Sequence, residues 1–164
     1  MNQADFLARF GAVFEHSPWV AEAVFEKGGG VLDDAEALGE LFDSVFLSSD
    51  PARQLATLVA HPPLACASAG SVDMTTNSAN EQSAAGLDRC SAREFTEFSR
   101  LNKAYAEKFG FPFIIAVKGL TRGQILSTFR ERLANERAQE FQTALLQTCR
   151  IARFRIRDMH DARA

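Results

Sequence analysis

Three places in the chain carry side chains able to move protons or hold charge where the surrounding pattern predicts buried or constrained backbone. His61 stands at the end of a helical pattern that Pro62 and Pro63 must terminate. An imidazole titrates close to neutral pH, so it can serve as acid or base. Ser78 and Glu81 have capping-box spacing, which predicts a helix opening at Ser78. The N–H groups at such an end suit an anionic or carbonyl-rich ligand. Arg155 falls on a stripe of the last helix with Phe141, Leu145, Thr148, Ala152 and Met159, spaced by fours and threes. An arginine on a buried stripe needs a carboxylate partner or an anionic ligand, because a buried unpaired charge is costly. Each feature also has a plain structural explanation: a surface histidine at a helix stop, a cap, a salt bridge.

The elements that must position these groups are predicted to be helical. Phe6, Phe10, Val13 and Phe14 share one face of a first helix. Ser17 and Pro18 read as cap and first residue of a second, over Trp19 to about Lys27, ended by Gly28-Gly29-Gly30. Leu38, Leu41, Phe42, Val45 and Phe46 mark a third. Asp50-Pro51 starts a short helix carrying Leu55, Leu58 and Val59. Residues 64–77 read as an ordered loop. Further capping boxes at Ser91 to Glu94 and Thr121 to Gln124 open two more helices, the first closed by Gly110. Between them Phe111 to Val117 is an apolar run interrupted by Pro112, predicted to be buried and extended. A long helix from about Glu136 to about Met159 ends the pattern. In it Arg150, Arg153 and Arg157 lie off the apolar stripe and read as solvated charges. The fold class expected is all-α: a single domain over 1–164, a bundle of about seven to nine helices with one short extended buried segment.

Composition narrows the function classes. The 164 residues are 46% hydrophobic and 24% charged, which excludes a disordered or fibrous chain. Eighteen basic against 21 acidic residues leave no basic excess for nucleic acid. Apolar runs fall far short of the roughly 18 residues that span a bilayer, so no membrane partner is expected. The first residues lack a signal-peptide pattern and the last are not a peroxisomal address, which suggests a cytoplasmic protein. Cys66, Cys90 and Cys149 show no Cys-x-x-Cys spacing and read as thiols in a reducing compartment. The three histidines form no zinc-like cluster, so no metal is expected. Of 14 Phe, most should be core, since a phenyl ring brings no polar group to satisfy.

Seven segments occur together and in order: Phe14-Glu15-His16-Ser17-Pro18-Trp19-Val20, His61-Pro62, Ser78-x-x-Glu81-Gln82, Ala85-Gly86-Leu87-Asp88, Leu101-Asn102-x-x-Tyr105, Phe109-Gly110-Phe111-Pro112-Phe113-Ile114-Ile115 and Ile151-Ala152-Arg153-Phe154-Arg155. The sequence thereby resembles the 2-oxo-4-hydroxy-4-carboxy-5-ureidoimidazoline (OHCU) decarboxylases of urate degradation, from about residue 5 to 159. The resemblance implies an all-helical lyase without cofactors, commonly a homodimer, that converts OHCU to (S)-allantoin and CO2. It implies that His61 is the catalytic histidine and that Arg155 is the family's arginine on the last helix; the chemistry of the reaction adds Glu81, as a substrate-orienting or proton-sharing partner, and Arg155, as an electrostatic clamp, to the catalytic set. It places Pro62, Ser78, Ala79, Asn80, Glu81, Gln82 and Arg155 against the substrate, together with the backbone of Phe113, Ile114, Ile115, Ala116 and Val117. One position departs from the family pattern: Pro63 stands where an acidic residue usually follows His-Pro.

These residue types suit that reaction. The carboxylate that leaves OHCU sits next to a C=N bond, so the ring accepts the electrons and no cofactor is needed. His61 can manage the proton. Glu81, Gln82 and Ser78 offer partners for ureido and ring N–H groups. Arg155 can stabilise oxyanion charge with a planar fork. Two other readings stay open from sequence: a non-catalytic helical interaction module, or a decarboxylase or hydrolase acting on another small heterocycle.

Overall fold

Two capping boxes form as read from the sequence. Ser91 Oγ accepts from the Glu94 N–H at 3.1 Å and opens α6 (Ala92–Phe109). Thr121 Oγ1 accepts from the Gln124 N–H at 3.2 Å and opens α7 (Arg122–Leu133), while Gln124 Oε1 accepts from the Thr121 N–H at 2.9 Å. Each cap contributes about 1 kcal/mol. Gly110 closes α6 in the left-handed region at φ 79°, which a glycine adopts without strain.

The computed structural model describes residues 1–65 and 76–162. Among these, the earlier helices are α1 (Gln3–Phe10), α2 (Trp19–Glu26), α3 (Ala35–Leu47), α4 (Pro51–Ala60) and α5 (Thr76–Ala84). The last is α8 (Arg137–Asp161), and no strand occurs among the described residues. The all-α expectation therefore holds. Cys66 and most of the predicted 64–77 loop lie outside the described residues.

The chain forms two compact units. One comprises Met1–Ala60 with the chain from Leu145 onward. Its core is aromatic: the Phe14 ring stacks on Phe42 at 6.1 Å between centroids and tilts against Phe46 at 4.8 Å. Val13 and Phe14 are buried although α1 stops at Phe10, so the predicted face continues into a turn. The other unit is His61–Ala144, with Phe98, Tyr105, Phe109, Phe111, Phe113 and Phe129 fully buried. Ten of the 14 Phe are buried across the chain, as their chemistry predicts.

Several expectations need correction. Proline takes the cap of α2 itself, one residue later than the Ser17 cap expected. Val59 is 55% exposed, because the buried face of α4 carries Gln54, Thr57 and Leu58 instead. Helix α5 opens at Thr76, so Ser78 is its third residue rather than its cap. Arg153 and Arg157 are not lone solvated charges. Arg153 Nε donates to Asp43 Oδ2 at 2.6 Å, and Arg157 Nη2 donates to Glu36 Oε2 at 2.9 Å, both partners on α3. The three-thiol reading also changes, since Cys90 is disulfide-bonded.

Cys149 is free and buried. Burial, with the Asp43 carboxylate beside it, pushes its thiol above the ordinary range. Only the thiolate reacts with alkylating reagents. Native protein at pH 8 is therefore expected to leave Cys149 unlabelled by iodoacetamide, and protein in urea to label it. Mass spectrometry of the Cys149 peptide checks this; labelling at equal rates in both states would contradict it.

Candidate active site

His61 follows directly on α4, whose pattern Pro62 and Pro63 bring to an end. The ring is half-buried, and its Nδ1 lies 3.1 Å from the Pro62 carbonyl oxygen. A carbonyl only accepts, so this contact calls for the hydrogen on Nδ1. Nε2 is buried.

The next three residues are held by side chains from two helices. Gln82 on α5 accepts from the Ala65 N–H at 2.9 Å and donates to the Pro63 carbonyl at 3.4 Å. Asn102 on α6 donates to the Leu64 carbonyl at 2.7 Å. These bonds replace the ladder that a regular element would supply, and they fix the backbone leaving His61. Both ends of the Gln82 amide are thus engaged on the loop. Asn102 received no role from the sequence. Its signal was present: an amide on the same face of α6 as Phe98, Leu101, Tyr105 and Phe109.

Helix α5 has the sequence Thr-Asn-Ser-Ala-Asn-Glu-Gln-Ser-Ala and no apolar stripe. Its buried positions are Ser78 and Gln82, four apart on one face, with Glu81 half-buried next to Gln82. A helix that buries polar side chains in place of aliphatic ones is serving a polar surface rather than a core. Ala79 and Asn80 lie on its exposed side.

Residues 113–117 are buried throughout and carry neither helix nor strand, as the sequence predicts. Arg132 Nη1 donates to the Ile114 carbonyl at 2.7 Å. This arginine, buried on α7, was not anticipated.

Arg155 belongs to the unit built from the chain's two ends. It is 4% exposed. Its Nη1 lies 3.2 Å from Glu15 Oε2 and donates to the Val13 carbonyl at 3.1 Å. Of the two partners expected for a buried guanidinium, the structure supplies the carboxylate. Glu15 is itself buried at 2% exposure, in a turn where His16 adopts φ 51°, uncommon for a residue with a side chain. A charged residue directly after Val13-Phe14 was the available clue.

Among the described residues, no group of three or more His, Cys, Asp or Glu is placed to hold a metal ion. No described helix is long and apolar enough to cross a membrane.

A protein-family model described as OHCU decarboxylase matches residues 1–157, across both units. The chain is 36% identical over 162 residues to the 2-oxo-4-hydroxy-4-carboxy-5-ureidoimidazoline decarboxylase of Halalkalicoccus jeotgali, covering 97% of this chain and 89% of that one. It is 35% identical over 161 residues to the decarboxylase of the same name from Amia calva, covering 97% and 90%. It is 38% identical over 165 residues to the uric acid degradation bifunctional protein PucL of Bacillus subtilis, of which it spans only 32%. A crystal structure of (S)-allantoin synthase superposes with a TM-score of 0.77 at 27% identity, covering 97% of this chain and 51% of that one. A crystal structure of OHCU decarboxylase in the presence of (S)-allantoin shares the fold, with a TM-score of 0.73 at 21% identity over 98% and 99% of the two chains.

Proposed function

Because this chain belongs to the OHCU decarboxylase family, we propose that His61, Glu81 and Arg155 divide between them the work of converting OHCU to (S)-allantoin and CO2. In OHCU the C4–carboxylate bond breaks, and its electron pair forms a C4–C5 double bond as the C5=N electrons move onto nitrogen, which takes up a proton. The enol-like product must then lose the C4 hydroxyl proton and gain one at C5 on a single face. His61 is the acid and base for those transfers, with Nε2 the nitrogen that exchanges the proton. Glu81 orients the ureido and ring N–H groups, helped by the Ser78 hydroxyl. Gln82 touches the substrate only through what its two loop bonds leave over, and otherwise sets the loop beyond His61. Ala79 and Asn80 border this part of α5, Pro62 shapes the pocket wall, and the backbone of 113–117 meets the ring. Arg155 stabilises charge on the substrate oxygens.

The observation that carries this reading is the Nδ1 contact to Pro62 in a backbone clamped at the three following residues. It supports an imidazole with one nitrogen committed to structure and the other to chemistry. The ring of OHCU is its own electron sink, so the reaction needs no cofactor. We read residues 1–164 as one functional domain, working as a cytoplasmic homodimer. Light scattering at twice the chain mass checks the dimer.

The deciding experiment follows freshly generated OHCU by ultraviolet absorption and circular dichroism. With the protein present, OHCU is expected to decay faster and to give allantoin with a single sign of ellipticity. An unchanged decay to racemic product would remove the assignment.

A further inference from the structure

In the His61–Ala144 unit, three polar side chains gather around Glu140 on α8. Glu140 is fully buried. Its Oε1 accepts from the Tyr105 hydroxyl at 2.5 Å and from Arg132 Nε at 2.6 Å, and its Oε2 accepts from Asn135 Nδ2 at 3.1 Å. Burial, and the carboxylate beside it, push the Tyr105 phenol well above its ordinary range, so it remains a donor. Arg132 then reaches the extended segment twice. Its Nη1 donates to the Ile114 carbonyl, and its guanidinium lies over the Phe113 ring at 4.4 Å from the centroid. Phe113 also stacks on Phe129 at 3.8 Å and 9° between planes, and meets the Tyr105 ring edge-on at 5.4 Å.

A buried ion pair is a poor source of stability, since apolar residues of similar volume often do as well or better. Stability alone therefore does not account for this one. The segment it grips has no ladder of its own, so nothing regular fixes the rotation of its peptide planes. A ring held at one residue and a carbonyl held at the next remove that rotation. We propose that Arg132, aligned by Glu140, is a positioning residue that fixes how the backbone groups of 113–117 are presented to the substrate. The proposal rests on the reading above that this segment meets the substrate ring.

The test removes the whole polar cluster without stranding a charge, in the triple variant Tyr105→Phe, Arg132→Met, Glu140→Leu. Thermal midpoint, KM and kcat for OHCU, and (S)-allantoin affinity are measured beside wild type. The midpoint is expected to hold or rise while KM and the allantoin Kd rise on the order of tenfold or more, kcat changing less. Wild-type KM and affinity in the folded variant would overturn the inference. If the triple variant does not fold, Arg132→Lys is read instead. It keeps the charge facing Glu140 but loses the fork and the ring contact, and is expected to raise KM with an unchanged pH profile. An unaltered KM there also overturns the inference. Hydrogen exchange of wild-type 113–117 amides, with and without (S)-allantoin, tests the underlying reading separately. Added protection by allantoin supports it. No added protection removes that reading, and the positioning role with it, whatever the variants do.

Discussion

Substituting Asn for His61 is expected to leave a folded protein whose turnover of OHCU falls by roughly 10²–10⁴-fold, the range that positioned proton transfer supplies. The residue sits outside every described helix. Asn retains an N–H donor of similar reach for the Pro62 carbonyl, so the loop beyond stays as Gln82 and Asn102 hold it. What is lost is the nitrogen that exchanges a proton near neutral pH. Circular dichroism should report both consequences in one cuvette: slower decay of substrate, and loss of the excess of one enantiomer as protonation reverts to solvent. A variant that still makes single-handed allantoin at the wild-type rate would exclude His61 from the chemistry.

Lysine at position 155 should lower kcat/KM by about 10²–10³-fold, the loss typical when one preorganised donor to a developing oxyanion is removed. The reason is shape rather than charge. Arg155 reaches the Val13 carbonyl and the buried Glu15 carboxylate from the same nitrogen, and a guanidinium can do so while aiming its other face elsewhere. An ammonium is a single point and cannot serve both directions. Lysine keeps a cation opposite Glu15, so the fold should survive. Alanine would abandon a buried carboxylate at a cost of about 3–5 kcal/mol. Steady-state kinetics with a melting curve on the same preparation separates the two effects. An unaltered kcat/KM would take Arg155 out of the site.

The helices were legible wherever apolar period and cap chemistry agreed. The Ser91 and Thr121 boxes, the stop at His61 and the stripe on α8 were all readable, because each depends on residues within one turn of one another. Helix α5 was misplaced at its start because it has no apolar stripe to mark its first turn. The catalytic candidates were visible as polar side chains in constrained positions. Their supports were not. Glu15 lies 140 residues from Arg155, Asn102 lies 38 from Leu64, and Tyr105 lies 35 from Glu140. No local spacing encodes such pairings. The one available sign was a polar residue on an otherwise apolar face, which names a side chain that needs a partner without saying which.

One compact unit takes its material from the first 60 residues and from the chain after Leu145. During synthesis, Glu15 therefore leaves the ribosome long before the guanidinium that will neutralise it has been translated. At about 5–20 residues per second, the opening helices spend several seconds without their last wall. The contiguous His61–Ala144 stretch has every residue it needs sooner. Assembly should then run from the middle outward, with the first unit closing only once the chain beyond Leu145 has emerged. A stalled nascent chain with residues up to about 145 clear of the ribosome should accordingly protect its interior stretch from protease while its leading helices remain cleavable.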